Sequence, residues 1–295
     1  YRLFSGKTEK GSAQGTNPVS GIYLDYYLPK KVDSLMLKIE ILENDEVIRT
    51  YTSDKPKEFV SWPGGPSQEI ILPYKEGHNR VHWDFRRASI PAVDKVFVYG
   101  SYAGSRVAPG DFKIRLSYGE VQKETQITLL PNPNIEATTA DFDAQQKLLI
   151  QIDSVLRNIH SSVNHMRTVQ SQLQFYIKTL KGKQTYVPLI KKAKAIEKKL
   201  VDWEINLIQP NQKTFQDVIN FNNKLNAEWM YLKGFVDSEF PKVTQGSKDR
   251  FKDLLAKWKI HQKELTVLIE NEFSAFETLF KSMEVPALFI PELID

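Results

Sequence analysis

At 295 residues, with 41% hydrophobic and 11% aromatic side chains, the chain is too apolar for intrinsic disorder and long enough for two folded units, each with its own core. A formal charge of only +4, spread over both halves, excludes a strong pull toward nucleic acid or an anionic membrane surface. The absence of cysteine removes disulfides, thiolate catalysis, iron–sulfur clusters and cysteine-bound zinc, and no apolar run approaches the roughly 20 residues that cross a bilayer.

Residues 1–133 hold most of the glycine and proline, and their apolar residues alternate. Ile22, Leu24, Tyr26 and Leu28 point one way, as do Leu35, Leu37, Ile39 and Ile41, the spacing of half-buried strands. The "ENDE" segment after Leu42 supplies turn chemistry before a strand over Val47–Tyr51. Further strands are expected near 68–72, 79–86, 95–100, 111–118 and 121–130, the last two joined through "YGE" as a tight hairpin. Seven or eight short strands at this spacing predict an antiparallel β-sandwich of immunoglobulin or fibronectin type III kind.

In "LLPNPNIEATTADF" two prolines end the last strand, and Thr138 or Thr139 offers an N-cap with Asp141 in the first turn. The apolar period then changes to three and four, from Phe142 and Leu149 through Leu173, Ile177 and Leu180. This predicts a helix over about 140–181, roughly 60 Å long and stopped at Gly182. Leu189 to Leu207 form a second helix closed by Pro210. Phe215 to Val236 form a third ended by Pro241, and Phe251 to Met283 a fourth. Short connections predict an antiparallel four-helix bundle over 134–295.

The densest run of chemistry-bearing residues is "GHNRVHWDFRR", 77–87. On a strand, Val81, Trp83 and Phe85 share a core face and Arg80, His82, Asp84 and Arg86 the other, so a packing role is the simpler reading. Asp84 then pairs with Arg80, Arg86 or Arg87; a general-acid role would need a second carboxylate at a defined distance. His160 and His165 lie five apart on the long helix, roughly 140° around its axis, which is not the spacing that grips a metal, and His78, His82 and His261 are isolated. No metal site is therefore expected.

"SWPGGPSQ" (61–68) is a predicted loop carrying Trp62, with Tyr74, Tyr99 and Tyr102 in or near other predicted loops. Aromatic planes on loops can stack on sugar rings, although proline and glycine equally suit a turn that tucks the indole inward. Phosphate-loop, dinucleotide and nucleophile-elbow patterns do not occur. The lysines of "KKAKAIEKK" (191–199) are expected on the solvent side of the second helix.

Several segments carry a resemblance. "NPVSGIYLDYYLP", "LKIEILENDEVIRTY", "GHNRVHWDFR", "APGDFKIRLSYGE" and "ITLLPNPNIEATTADFDAQQKLL", with the tail "KLNAEWMYLKGFVDSEFPKVTQGSKDRFKDLLAKW", resemble the region that follows the β-propeller in bacterial sortilin-like proteins. Those proteins carry BNR (Asp-box) repeats and are often labelled glycosyl hydrolases. "LKIEILENDEVIRTY" and "PGDFKIRL" are also similar to the immunoglobulin-like domain of the flagellar hook-capping protein. This chain has no Asp-box "SxDxGxTW" repeat, so any hydrolase activity the family label implies would reside upstream, and no catalytic residue is carried over.

The resemblance implies an exported bacterial protein. The start at Tyr1 rather than methionine fits a fragment or processed product. The expectation is a non-catalytic accessory region, needing no cofactor, that docks on an upstream β-propeller of the same polypeptide and presents a protein- or carbohydrate-contact surface. Trp62, Tyr74, Tyr99 and Tyr102 are its candidate ligand residues. The alternative is part of a glycoside hydrolase or peptidase-like enzyme, with Asp84 or Asp111 serving a site at the propeller junction. Self-association through the long helix is a third possibility, if the other helices leave its apolar stripe uncovered.

Overall fold

The computed structural model describes residues 20–31, 34–54 and 59–286. The first three residues of "NPVSGIYLDYYLP" lie outside the described residues. Strand β1 (Ile22–Leu28) runs antiparallel to β4 (Gly77–Trp83), pairing Ile22 with Trp83 and Leu28 with Gly77 in a two-stranded sheet. Strands β2 (Leu37–Glu43), β3 (Glu46–Thr52), β5 (Gly110–Tyr118) and β6 (Val121–Leu129) form an antiparallel sheet in the order β3-β2-β5-β6. The β2–β3 hairpin turns on Asn44 and Asp45 at φ 50° and 64°, the left-handed pair that a two-residue turn requires.

Leu37, Ile39 and Ile41 of β2, Tyr51 of β3, Val81 and Trp83 of β4, and Phe112 and Ile114 of β5 bury together between the two sheets. Trp83 is fully buried and stands edge-on to Phe85 and Phe112, with ring centroids 5.3 and 5.4 Å away. Its indole N–H donates to the Arg86 carbonyl at 3.0 Å.

The expected immunoglobulin or fibronectin III sandwich is not formed. Six strands are present among the described residues, and the second sheet is only the β1–β4 ribbon. The 68–72 segment contributes a single parallel bridge, Ile71 to Thr52, and 95–100 is irregular. Val96, Phe97 and Val98 are all buried in succession, which a pleated strand covered on one face does not allow. Strand β4 stops at Trp83 because Phe85 takes φ 58° and turns the chain out of the sheet.

Helix α1 (Thr139–Thr179) spans 41 residues and starts at a capping box: the Thr138 hydroxyl accepts from the Asp141 N–H, and the Asp141 carboxylate accepts from the Thr138 N–H. Helix α2 (Val187–Leu207) follows a short 3₁₀ turn, with Pro188 in its first turn. The helical half is not the expected set of four continuous helices. The third is interrupted, with one turn, α3 (Asp217–Asn220), separated from α4 (Leu225–Val236). In the gap, Gln212 Nε2 donates to the Phe221 carbonyl at 2.8 Å and Gln209 Nε2 to that of Asn222 at 2.9 Å, replacing the bonds a helix would have made. Helix α5 (Gln245–Val267) passes through a π-helical segment, Leu268–Phe273, into α6 (Ser274–Ser282).

Helix α1 packs on α2 and α4, and α4 on α5. Their shared core is completed by Ile90, Val93, Val96, Val98 and Tyr102, from the irregular segment that links β4 to β5. That segment joins the two halves of the fold, and both candidate binding surfaces lie along it.

Candidate functional site

The three arginines of 77–87 each have a different carboxylate partner. Arg80 grips Asp25 of β1 with two bonds of 2.7 and 3.0 Å, and its guanidinium holds the Asp25 carboxyl below the usual carboxylate range. Arg87 pairs with Glu43 of β2. Arg86 reaches the helices, donating to Asp237 Oδ2 at 2.6 Å and to the Gly104 carbonyl at 2.8 Å, while the Arg106 N–H donates to Asp237 Oδ1 at 3.2 Å. The run therefore fastens β4 to β1, to β2 and to the end of α4.

A second layer lies beneath. Asp153 of α1 accepts from the Ser105 N–H at 3.0 Å and the Ser105 hydroxyl at 2.7 Å. Lys233 of α4 donates to the Ala103 carbonyl and stands 3.9 Å from Asp153. Burial pulls the Lys233 pKa below that of an ordinary lysine, with Asp153 and then Asp237 opposing it. These buried polar contacts hold segment 101–108 in one position against both α1 and α4.

The expected ion pair of Asp84 is absent, because Arg80, Arg86 and Arg87 are taken by other carboxylates. Asp84 Oδ1 is buried without a hydrogen-bond partner. Asp111 sits exposed at the start of β5 and accepts from the Thr128 hydroxyl across the hairpin at 2.6 Å. These two acids share no hydrogen-bond partner, and neither lines the grooves described below.

The four candidate aromatics are not gathered at one place. Tyr102 is buried beside His160, ring centroids 5.9 Å apart, and burial pushes its hydroxyl pKa up. Tyr74 packs against the β core, its hydroxyl 3.0 Å from that of Tyr118. Trp62 and Tyr99 remain at the surface. The Trp62 indole is half-buried, donates to the Val96 carbonyl at 3.0 Å and has Gly65 against it, where an added Cβ would come within 2.6 Å of the ring. Tyr99 is 60% exposed and meets Phe215 edge-on at 4.8 Å.

Trp62 and Tyr99 line two open grooves on either side of residues 95–98. The first, about 1020 Å³, runs between the 59–69 loop and residues 89–95, with Phe59, Trp62, Pro66, Pro91 and Arg157 on its walls. The second, about 770 Å³, is lined by Tyr99, Phe215, Met230, Tyr231 and Phe235, with Arg86, Lys233 and Asp237 at its base. Tyr231 is 74% exposed and Phe235 58%, whereas the three charged groups are largely covered, so aromatic rims surround a polar floor. Sequence reasoning missed Arg157, Tyr231 and Phe235 and assigned Phe215 to a helix core. One signal was available: in "EWMYLKGF" Trp229, Met230 and Leu232 fill the core side while Tyr231 and Phe235 make the opposite side apolar as well.

His165 is exposed and His160 is fully buried, its Nδ1 2.8 Å from the Pro91 carbonyl. Among the described residues no group of three or more histidine and acidic side chains is placed to hold a metal, and no helix is long and apolar enough to cross a membrane. Of the 191–199 lysines, Lys192 and Lys199 both bond Glu272 in the π-helical segment, at 2.6 and 2.5 Å, and hold its carboxyl below the usual range. No family model, curated protein or solved structure matches the chain, so the resemblance to sortilin-like proteins rests on its motifs alone.

Proposed function

We propose that the chain is a non-catalytic accessory region of an exported, multidomain propeller protein, and that its work is carbohydrate contact at the junction of its β and helical halves. The observation that carries this reading is the pair of aromatic-lined grooves, one holding Trp62 and the other Tyr99, open to solvent and built on a segment pinned from both sides. A pyranose ring presents an apolar face that an indole or phenol plane covers, and fixed polar groups at a groove base orient its hydroxyls. The upstream propeller and export rest on the motif resemblance. The hydrolase alternative, with Asp84 or Asp111 in a site at the propeller junction, predicts turnover instead.

The test is an oligosaccharide array together with zymography on the 295-residue chain. Binding without turnover is expected. Trp62→Ala or Tyr99→Ala should weaken binding about tenfold, roughly 1.4 kcal/mol, according to which groove the glycan occupies. Tyr74→Ala, which alters neither groove, should leave affinity unchanged. Turnover by the chain, or binding indifferent to both surface aromatics, overturns the reading.

A further inference from the structure

We propose that the Trp62 groove recognises a carboxylate-bearing sugar, a uronate unit within an oligosaccharide, with Arg157 reading the carboxylate and Trp62 stacking on the ring. This inference rests on the carbohydrate-contact reading and names its ligand class.

Arg157 projects from α1 into the groove and is half-buried. One of its nitrogens, Nη2, donates to the Ala88 carbonyl, which anchors the head group at that end. Its other nitrogens are neither bonded nor sealed from solvent, and among the described residues no carboxylate lies within ion-pair distance. A guanidinium anchored through one hydrogen of Nη2, with Nε and Nη1 unbonded, keeps donors for a planar carboxylate.

The other charges on the groove are already balanced. Glu69 is taken by Arg49 at 2.5 Å, and Arg49 is held in turn by the Ser89 hydroxyl at 3.0 Å and the Arg87 carbonyl. Asp94 and Lys95 are exposed, adjacent in sequence and of opposite sign. Asp153, one turn back on α1, offsets the Arg157 charge from a distance, but no carboxylate is bonded to it, so the groove presents one unbonded cationic group beside an aromatic plane. A sugar suits it better than an acidic peptide, because Pro66 and Pro91 interrupt the walls with residues that have no N–H for an extended chain to pair with.

The experiment titrates the chain at 0.15 M salt with tetragalacturonate, its methyl ester, neutral maltotetraose and a poly-glutamate peptide, reading affinity by calorimetry and tryptophan fluorescence. The acid is expected to bind at least tenfold more tightly than its ester, which loses the charge and gains only a methyl group. Arg157→Gln should erase that preference, and Trp62→Ala should weaken acid and ester alike. Since Arg157 also holds Ala88, Arg157→Lys keeps the charge without the fork and should lose most of the preference while melting near the parent. If neither arginine variant folds, NMR titration of the parent chain decides instead, with the Arg157 Nε–H and Trp62 indole signals required to shift together. Equal binding of acid and ester sinks the uronate inference but leaves carbohydrate contact standing. Failure of every saccharide sinks both, and tight binding of poly-glutamate makes an acidic peptide the ligand.

Discussion

His160 has no partner for a second ring proton. Its Nδ1–H donates to the Pro91 carbonyl at 2.8 Å, its Nε2 is buried without a partner, and burial pushes its pKa down to about 4. An unfolded histidine titrates near 6.5, so between about pH 6.5 and 4 the unfolded chain binds a proton that the folded chain refuses. Stability is therefore full above that window and falls as pH drops through it, by about 3 kcal/mol at its lower end. Carboxylates with lowered pKa, Asp25, Asp141 and Asp217 among them, withdraw their contributions at still lower pH. Urea titrations from pH 7 to 4 on the parent and on His160→Gln isolate the effect. The pH slope between 6.5 and 4 should largely vanish in the variant, and an unchanged slope would show that the imidazole is not the group responsible.

At the scale of elements, the irregular segment between β4 and β5 is held by how closely its backbone can approach itself. At Gly104 a Cβ would lie 2.2 Å from the Arg87 carbonyl oxygen and 2.5 Å from that of Ala88, both main-chain atoms that cannot step aside. Gly104→Ala should cost about 1–3 kcal/mol through overpacking and should weaken the Arg86 bond to the Gly104 carbonyl. Gly110→Ala, where nothing lies within 4 Å, is the control and should stay within about 0.5 kcal/mol of the parent. A urea midpoint that moves equally in both variants would count against the close-approach argument.

Such elements divide by how far away their causes lie in sequence. An N-cap at Thr138 or Thr139 with Asp141 in the first turn, and a turn in "ENDE", were legible because each signal is complete within four residues; the structure makes Thr138 the cap and Asn44 and Asp45 the turn. The 95–100 segment reads as a strand by its apolar residues, yet it is covered by helices far along the chain, so local alternation gives the wrong partner. The break at 221–224 depends on two glutamine side chains reaching back to it, and nothing in "FNNK" alone announces it. At the candidate site, Trp62 and Tyr99 were recognisable as loop aromatics, and Tyr102 looked the same until α1 covered it. Arg157 could not be singled out, because an arginine on a helix becomes informative only when its neighbours are known to be paired elsewhere.

For the whole molecule, the two halves share structure too extensively to come apart independently. Residues from the β4–β5 segment complete the helical core, and Arg86 meets Asp237 across 151 residues of sequence with side chains only 19% and 9% exposed. Removing one member of such a pair leaves the other covered and uncompensated, so Arg86→Ala should destabilise by about 2–4 kcal/mol, less than a fully buried pair because some solvent still reaches the guanidinium. The loss should fall on both halves at once. In native-state hydrogen exchange, the slowest amides of β2 and β5 should open with the same free energy as those of α1 and α4, and Arg86→Ala should lower both sets together. A separately expressed 134–295 fragment should then be poorly packed, since it lacks Ile90, Val93, Val96, Val98 and Tyr102. If instead the fragment melts cooperatively near the temperature of the parent, or only the strand amides respond to Arg86→Ala, the junction is a contact between two independent domains. The grooves beside Trp62 and Tyr99 would then sit on a hinge instead of a fixed platform.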